Sequence, residues 1–163
     1  MRRVAAHLRG LGLKFELLVV DEGSGDNTVA VVALLRGTHP ELTLHHAGPG
    51  LGFVAGAERA RGRTVIVCDV RADAPLAAVG WGLSRLDRGL DAVAIGGRLL
   101  FFRRTRALRA LDSLAGRRDF RDLERRFIRR ARALGLPVSV THPKRQRLLD
   151  RLRAVIPVPA YLL

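Results

Sequence analysis

Two carboxylates, a hydroxyl and two glycines stand together at Asp21, Glu22, Gly23, Ser24 and Gly25, with Asp26 and Thr28 close behind. Carboxylates accept hydrogen bonds from sugar hydroxyls and base amides and also ligate hard cations. Five of the six residues from Phe15 to Val20 are apolar and the run ends in Val19 and Val20, the pattern of a strand buried on both faces. The acidic and hydroxyl groups therefore fall at the carboxyl end of a strand, before a helix capped by Asp26 or Thr28. Open α/β sheets bind ligands in that crevice, and the grouping suits a nucleotide.

The elements needed to hold this turn follow from periodicity and breakers. Met1 to Gly10 reads as a short amphipathic helix with Val4, Ala5 and Leu8 on one side. Helix is expected over 28–36, strand over 42–46, helix over 52–61, strand over 64–69, helix over 75–88 and strand over 91–95. This alternation implies right-handed crossovers and an α/β fold: a single three-layer α/β/α domain with a mainly parallel, Rossmann-like sheet. Beyond Gly96 the alternation weakens. A short strand at 99–102, a basic helix at 103–114, a strand at 138–141 and a basic helix at 144–155 are expected, followed by the apolar tail Ile156 to Leu163.

The clearest helix starts at Asp119, where Phe120, Leu123, Phe127, Ala131 and Leu134 form one apolar stripe opposite arginines, and Gly135 and Pro137 stop it. Asp119 and Asp122 sit at its positive end. His45 and His46 lie at a strand end and His142 near another, but no third ligand spacing supports a metal site. Gly48, Gly50 and Gly52 do not make a dinucleotide fingerprint, because Pro49 intervenes and the third glycine is missing at the required offset. They read as a turn serving the fold.

The chain has 163 residues and one cysteine, Cys68, so one domain in a reducing compartment is expected, without an intrachain disulfide. With no charged and apolar leader and no run long enough to span a bilayer, the protein is expected to be cytoplasmic, or peripheral to a membrane. Its net charge is +14, and the excess is uneven: 1–95 carries 11 basic and 10 acidic residues, whereas 96–163 carries 18 and 5. Such a block attracts the phosphates of a membrane surface or a lipid-linked acceptor. Nucleic acid is disfavoured, since aromatic residues make up 5% of the chain and no stacking pair is interleaved with the arginines.

Four separated segments resemble one family, the inverting glycosyltransferases of family 2 with the GT-A nucleotide-sugar-binding fold. Val19 to Thr28, VVDEGSGDNT, is similar to its VVDDGSxDxT motif. Ala47 to Gly62, AGPGLGFVAGAERARG, resembles its N-x-G-x-G turn and small-residue helix; Thr64 to Pro75, TVIVCDVRADAP, resembles the strand bearing its Asp-x-Asp motif; and Asp91 to Arg98, DAVAIGGR, resembles its DVVxGSR turn. The likeness implies that 1–98 is the nucleotide-sugar-binding half and 99–163 a shortened, basic, mainly helical acceptor-side half of the same domain. It further implies transfer of a sugar from a nucleoside-diphosphate sugar to an acceptor hydroxyl or lipid phosphate.

On this resemblance Asp21, Glu22, Ser24, Asp69 and Arg71 would contact the nucleotide, and Asp119, Asp122 or Glu124 would take the acceptor proton. Asp69 matches the first acid of the Asp-x-Asp pair, but Arg71 replaces the second with a fixed positive charge that cannot ligate a cation. Mg²⁺ or Mn²⁺ would then be held by Asp69 and Asp73, or Arg71 would itself neutralise the diphosphate. The family's opening strand, which reads like SVVIPAYNE, has no counterpart before Met1: either the start site is placed too late, or a central strand is lost, which would leave a gap in the sheet beside Phe15 to Val20 and an exposed edge. The alternative implied by these departures is a catalytically inactive remnant that binds a nucleotide, a protein partner or an anionic surface.

Overall fold

A computed structural model describes residues 1–68, 75–111, 114–116 and 119–141. In chain order the elements are α1 (Arg2–Gly10), β1 (Leu17–Asp21), α2 (Thr28–Arg36), β2 (Leu42–His46), α3 (Gly52–Arg59) and β3 (Thr64–Cys68). They continue with α4 (Val79–Asp87), β4 (Ala92–Ile95), β5 (Leu99–Arg103), α5 (Arg104–Ala107), α6 (Phe120–Ala133) and β6 (Val138–Thr141). The helix expected at 144–155 and the tail lie outside the described residues.

The strands form two sheets. β1 and β2 pair in parallel, with Asp21 opposite His46. The second sheet has the order β3-β5-β4-β6, in which β5 is antiparallel to both neighbours and β4 and β6 are parallel. Helices cover both faces. On one side Val4 and Leu8 of α1 and Val79, Trp81 and Leu86 of α4 pack with Leu17, Ile66, Val93 and Phe101. On the other, Phe53, Val54 and Ala57 of α3 and Leu123, Phe127 and Ala131 of α6 pack with Val65, Val67, Leu100 and Phe102. The architecture is thus the expected α/β arrangement, with β5 as the one reversed strand among the described residues.

Three local expectations need correction. Leu17 to Val20 are half-buried rather than buried on both faces, because among the described residues β1 is paired on one edge only. The fully buried strands are instead β4 and most of β5, which have ladders on both sides. The basic helix expected over 103–114 is only α5 followed by a 3-10 turn at Leu108–Ala110. Leu111 bonds back to Leu108 and Leu114 to Leu111, a three-residue spacing that brings both leucines into the core. Finally, α3 stops at Arg59 rather than continuing to Arg61: Ala60 turns extended, and the amides of Arg61 and Gly62 bond to the Glu16 carboxylate at 2.6 and 3.2 Å.

Candidate functional site

Each acidic group at the carboxyl end of β1 is held by backbone. Asp21 is buried, and its carboxylate accepts hydrogen bonds from the amides of Ser24 (3.0 Å) and Gly23 (3.2 Å). Bonds from the Ser24 hydroxyl and amide, opposed by burial and supported by Gly23 and His46, hold its pKa below the usual carboxylate range. His46 Nδ1 lies 3.4 Å from the same carboxylate. Sequence reasoning missed this pairing because it depends on cross-strand register, which places the two residues opposite one another. Asp26 caps the start of α2 by accepting from the Thr28 amide at 2.9 Å.

Glu22 reaches across to the next crossover. Its two oxygens accept from the amides of Gly52 (2.7 Å) and Gly50 (3.0 Å), so a carboxylate sits at the positive start of α3. Gly52 permits this approach, since a Cβ there would stand 2.6 Å from Glu22 Oε1. Gly50 has φ +74° and its carbonyl accepts from the Gly116 amide at 2.8 Å. The glycine turn therefore serves the fold, as the sequence suggests, and it ties the Asp21–Glu22 turn to the segment leading into α6.

Helix α6 brings a further carboxylate to the turn between β4 and β5. Glu124 is buried and accepts from the Gly97 amide at 3.0 Å. Burial raises its pKa, against the lowering influence of that bond and of Arg125 and Arg121. β4 and β3 both run antiparallel to β5, and β1 and β3 begin beside one another through Glu16. The ends of β1, β3 and β4 consequently share one margin of the molecule, where Asp21, Glu22 and Glu124 all lie. Position 124 falls on the apolar stripe at i, i+3 and i+7 with Phe127 and Ala131, a pattern that marks it as inward-facing.

The other sequence candidates are placed as follows. Asp119 caps α6 through the Asp122 amide (2.8 Å). Asp122 pairs with Arg126 at 3.0 Å. Asp69, Arg71 and Asp73 lie outside the described residues. Among the described residues no three His, Cys, Asp or Glu side chains gather to hold a cation, and Asp21 and Glu22 direct their oxygens at amides. The described part of the margin therefore does not fit a metal ion by itself. Further along α6, Arg126, Arg129, Arg130 and Ala133 line an open depression of about 370 Å³. No helix among the described residues is long and apolar enough to cross a membrane.

The α/β arrangement, with an acidic turn at the carboxyl end of β1, resembles the fold of a solved protein. The chain superimposes on the crystal structure of a candidate nucleotide-diphospho-sugar transferase from Desulfovibrio desulfuricans G20 with a TM-score of 0.57 and 19% identity, over 86% of this chain and 67% of that one. No family model and no curated protein matches the sequence.

Proposed function

We propose that this protein binds a nucleoside-diphosphate sugar at the margin formed by the β1 turn and acts as a glycosyltransferase of family 2 type. The observation that carries the reading is the Asp21–Glu22 turn, which Glu22 fixes to α3 and Gly50 fixes to the α6 approach. Asp21 stays ionised through the neutral range, and each carboxylate retains lone pairs for ribose or base donors beyond the amides it already accepts from. Ser24 completes this contact. On the resemblance, Asp69 and Arg71 would contact the nucleotide, and Mg²⁺ or Mn²⁺ held by Asp69 and Asp73 would supply neutralisation of the leaving group.

In the transfer, the acceptor oxygen bonds to the anomeric carbon as the bond from that carbon to the diphosphate breaks. The acceptor proton passes to a carboxylate. Asp119 and Asp122, the sequence candidates, are engaged as a cap and with Arg126. Glu124 is the better base, because burial raises its proton affinity towards neutral pH. The acceptor is a hydroxyl or a lipid phosphate, drawn by the arginines of the C-terminal part in a cytoplasmic protein peripheral to the membrane.

A second reading, nucleotide or anionic-surface binding without turnover, is favoured by one observation: both oxygens of Glu22 and of Asp21 are already occupied by backbone amides. Calorimetric titration with UDP, GDP and dTDP, with and without Mg²⁺, followed by donor hydrolysis assays, separates the two. Binding with hydrolysis supports the enzyme, and binding without it supports the second reading. Absence of binding by all three nucleotides refutes both nucleotide readings.

A further inference from the structure

Helix α6 buries Leu123, Phe127, Ile128 and Ala131, so its opposite side, by helical spacing, is that of Arg125, Arg126, Arg129, Arg132 and Ala133. Arg130 stands beside them, and Arg125, Arg129, Arg130 and Arg132 are exposed. From Arg125 to Thr141 there are five arginines and no acidic residue. Arg126 is neutralised by Asp122 at 3.0 Å. Among the described residues, the side chains of Arg129, Arg130 and Arg132 enter no ion pair or hydrogen bond. Like charges three and four residues apart repel, and the negative end of the helix offsets this only in part. An anion laid along this side removes the repulsion.

The shape of the site selects the kind of anion. Arg126, Arg129, Arg130 and Ala133, at i, i+3, i+4 and i+7, line an open depression of about 370 Å³. All four belong to one helix, whereas sites for free small molecules enclose most of the ligand in a concave pocket. The depression therefore suits phosphate groups presented by an extended surface, which the planar guanidinium takes in bidentate fashion. α6 spans 14 residues, about 21 Å, enough to meet several such groups at once. Its exposed side carries no aromatic ring on which a base could stack and no Asn, Gln, Ser or Thr to read one.

We propose that the outward side of α6, centred on Arg126, Arg129 and Arg130, docks this protein on the phosphates of an anionic bilayer. The helix also sets the orientation. Glu124, near its start, bonds to Gly97 just beyond the carboxyl end of β4, and its far end leads to Val138, which lies opposite Ala92 at the beginning of β4. α6 thus runs from the acidic margin to the other end of the sheet, and a bilayer met along it passes beside the margin rather than across it. In one respect the inference rests on the function proposed above: a lipid phosphate in the same surface then reaches the Glu124 end of α6, which selects the lipid acceptor over a soluble hydroxyl.

Sedimentation of the full chain with vesicles tests the docking without any nucleotide. Vesicles of phosphatidylcholine and phosphatidylglycerol are expected to bind the protein, those of phosphatidylcholine alone to leave it in solution, and binding to weaken as salt rises. Arg129→Gln, Arg130→Gln and Arg132→Gln together should weaken binding by about fivefold per residue, roughly a hundredfold in all. Arg2→Gln, Arg36→Gln and Arg88→Gln, which remove the same charge from exposed positions elsewhere, should cost much less. Equal binding to both vesicle types by the unmodified protein would overturn the proposal, with no variant needed. Equal losses from the two triple variants would overturn it by showing that net charge alone acts. Tighter binding of a DNA duplex that depends on the same three arginines would assign the helix to nucleic acid and overturn it too. Titration with UDP or GDP should be the same for both triple variants and the unmodified chain. Vesicle binding by a chain that binds no nucleotide would support the docking and refute the transferase reading, and nucleotide binding without vesicle binding would do the reverse.

Discussion

Replacing Glu22 by alanine removes a side chain that joins the β1 turn to the start of α3. Two amides, those of Gly50 and Gly52, lose their acceptor. Loss of a capping acceptor costs about 1–2 kcal/mol and loss of a negative charge at a helix start about 0.5 kcal/mol, giving about 2 kcal/mol in all. With a urea dependence of about 2 kcal/mol per molar, the unfolding midpoint should fall by about 1 M. Gly52→Ala supplies the cross-check, because its Cβ would stand 2.6 Å from Glu22 Oε1 and 3.1 Å from Cγ. In the native background it should displace the carboxylate and cost about as much as Glu22→Ala. In a Glu22→Ala background the obstruction is gone, and the substitution should be close to neutral, as alanine favours helix over glycine. A double-mutant cycle followed by urea unfolding measures this coupling. A Glu22→Ala loss below about 0.5 kcal/mol, or equal Gly52→Ala costs in both backgrounds, would refute the assignment of Glu22 as the clamp.

Two other outcomes are expected. Gly82→Ala should destabilise by about 2–3 kcal/mol, since a Cβ in α4 would lie 2.6 Å from the buried Phe101 ring; thermal unfolding reads this, and an unchanged midpoint would contradict the packing of α4 on β5. Glu124 and Asp21 should act oppositely on the pH profile. The folded pKa of Glu124 is raised, so the native state binds more protons than the unfolded one and stability declines as pH rises above the unfolded value. Glu124→Gln should abolish that decline. The folded pKa of Asp21 is lowered, so its contribution is present above the unfolded value and is lost as pH falls through the folded one. Asp21→Asn should flatten the acid limb of a pH series of urea midpoints, and a parallel profile would contradict the pairing with Ser24.

Much of the framework was legible because punctuation and periodicity agree locally. Helix Thr28–Arg36 and strands Leu42–His46 and Val138–Thr141 fall where apolar spacing and the neighbouring proline and glycine residues put them. Burial was less legible. The apolar run of β1 resembles an interior strand, but its exposure is decided by whether a neighbour supplies a second ladder, a nonlocal fact. The 103–114 stretch shows the same limit: its composition favours a helix, yet bonding of Arg104 to Arg63 and Gly116 to Gly50 imposes a tighter path. At the site, Asp21 and Glu22 were identifiable by type and position. Their partners were not, since His46 depends on strand register and Gly50 and Gly52 on a crossover some 30 residues distant.

The place of β5 between β3 and β4 bears on how the protein is made. Both ladders that organise the larger sheet run through Leu99–Arg103, so β3 and β4 leave the ribosome with no strand to join them. At about 5–20 residues per second, the stretch from Cys68 to Arg103 takes on the order of 2–7 seconds to follow β3 out. Throughout that interval the hydrophobic strand Thr64–Cys68 waits with an open edge, and Ala92–Ile95 emerges only near its close. Unpaired edges of this kind are aggregation-prone, so a stall within this window is expected to leave an intermediate rather than a folded half.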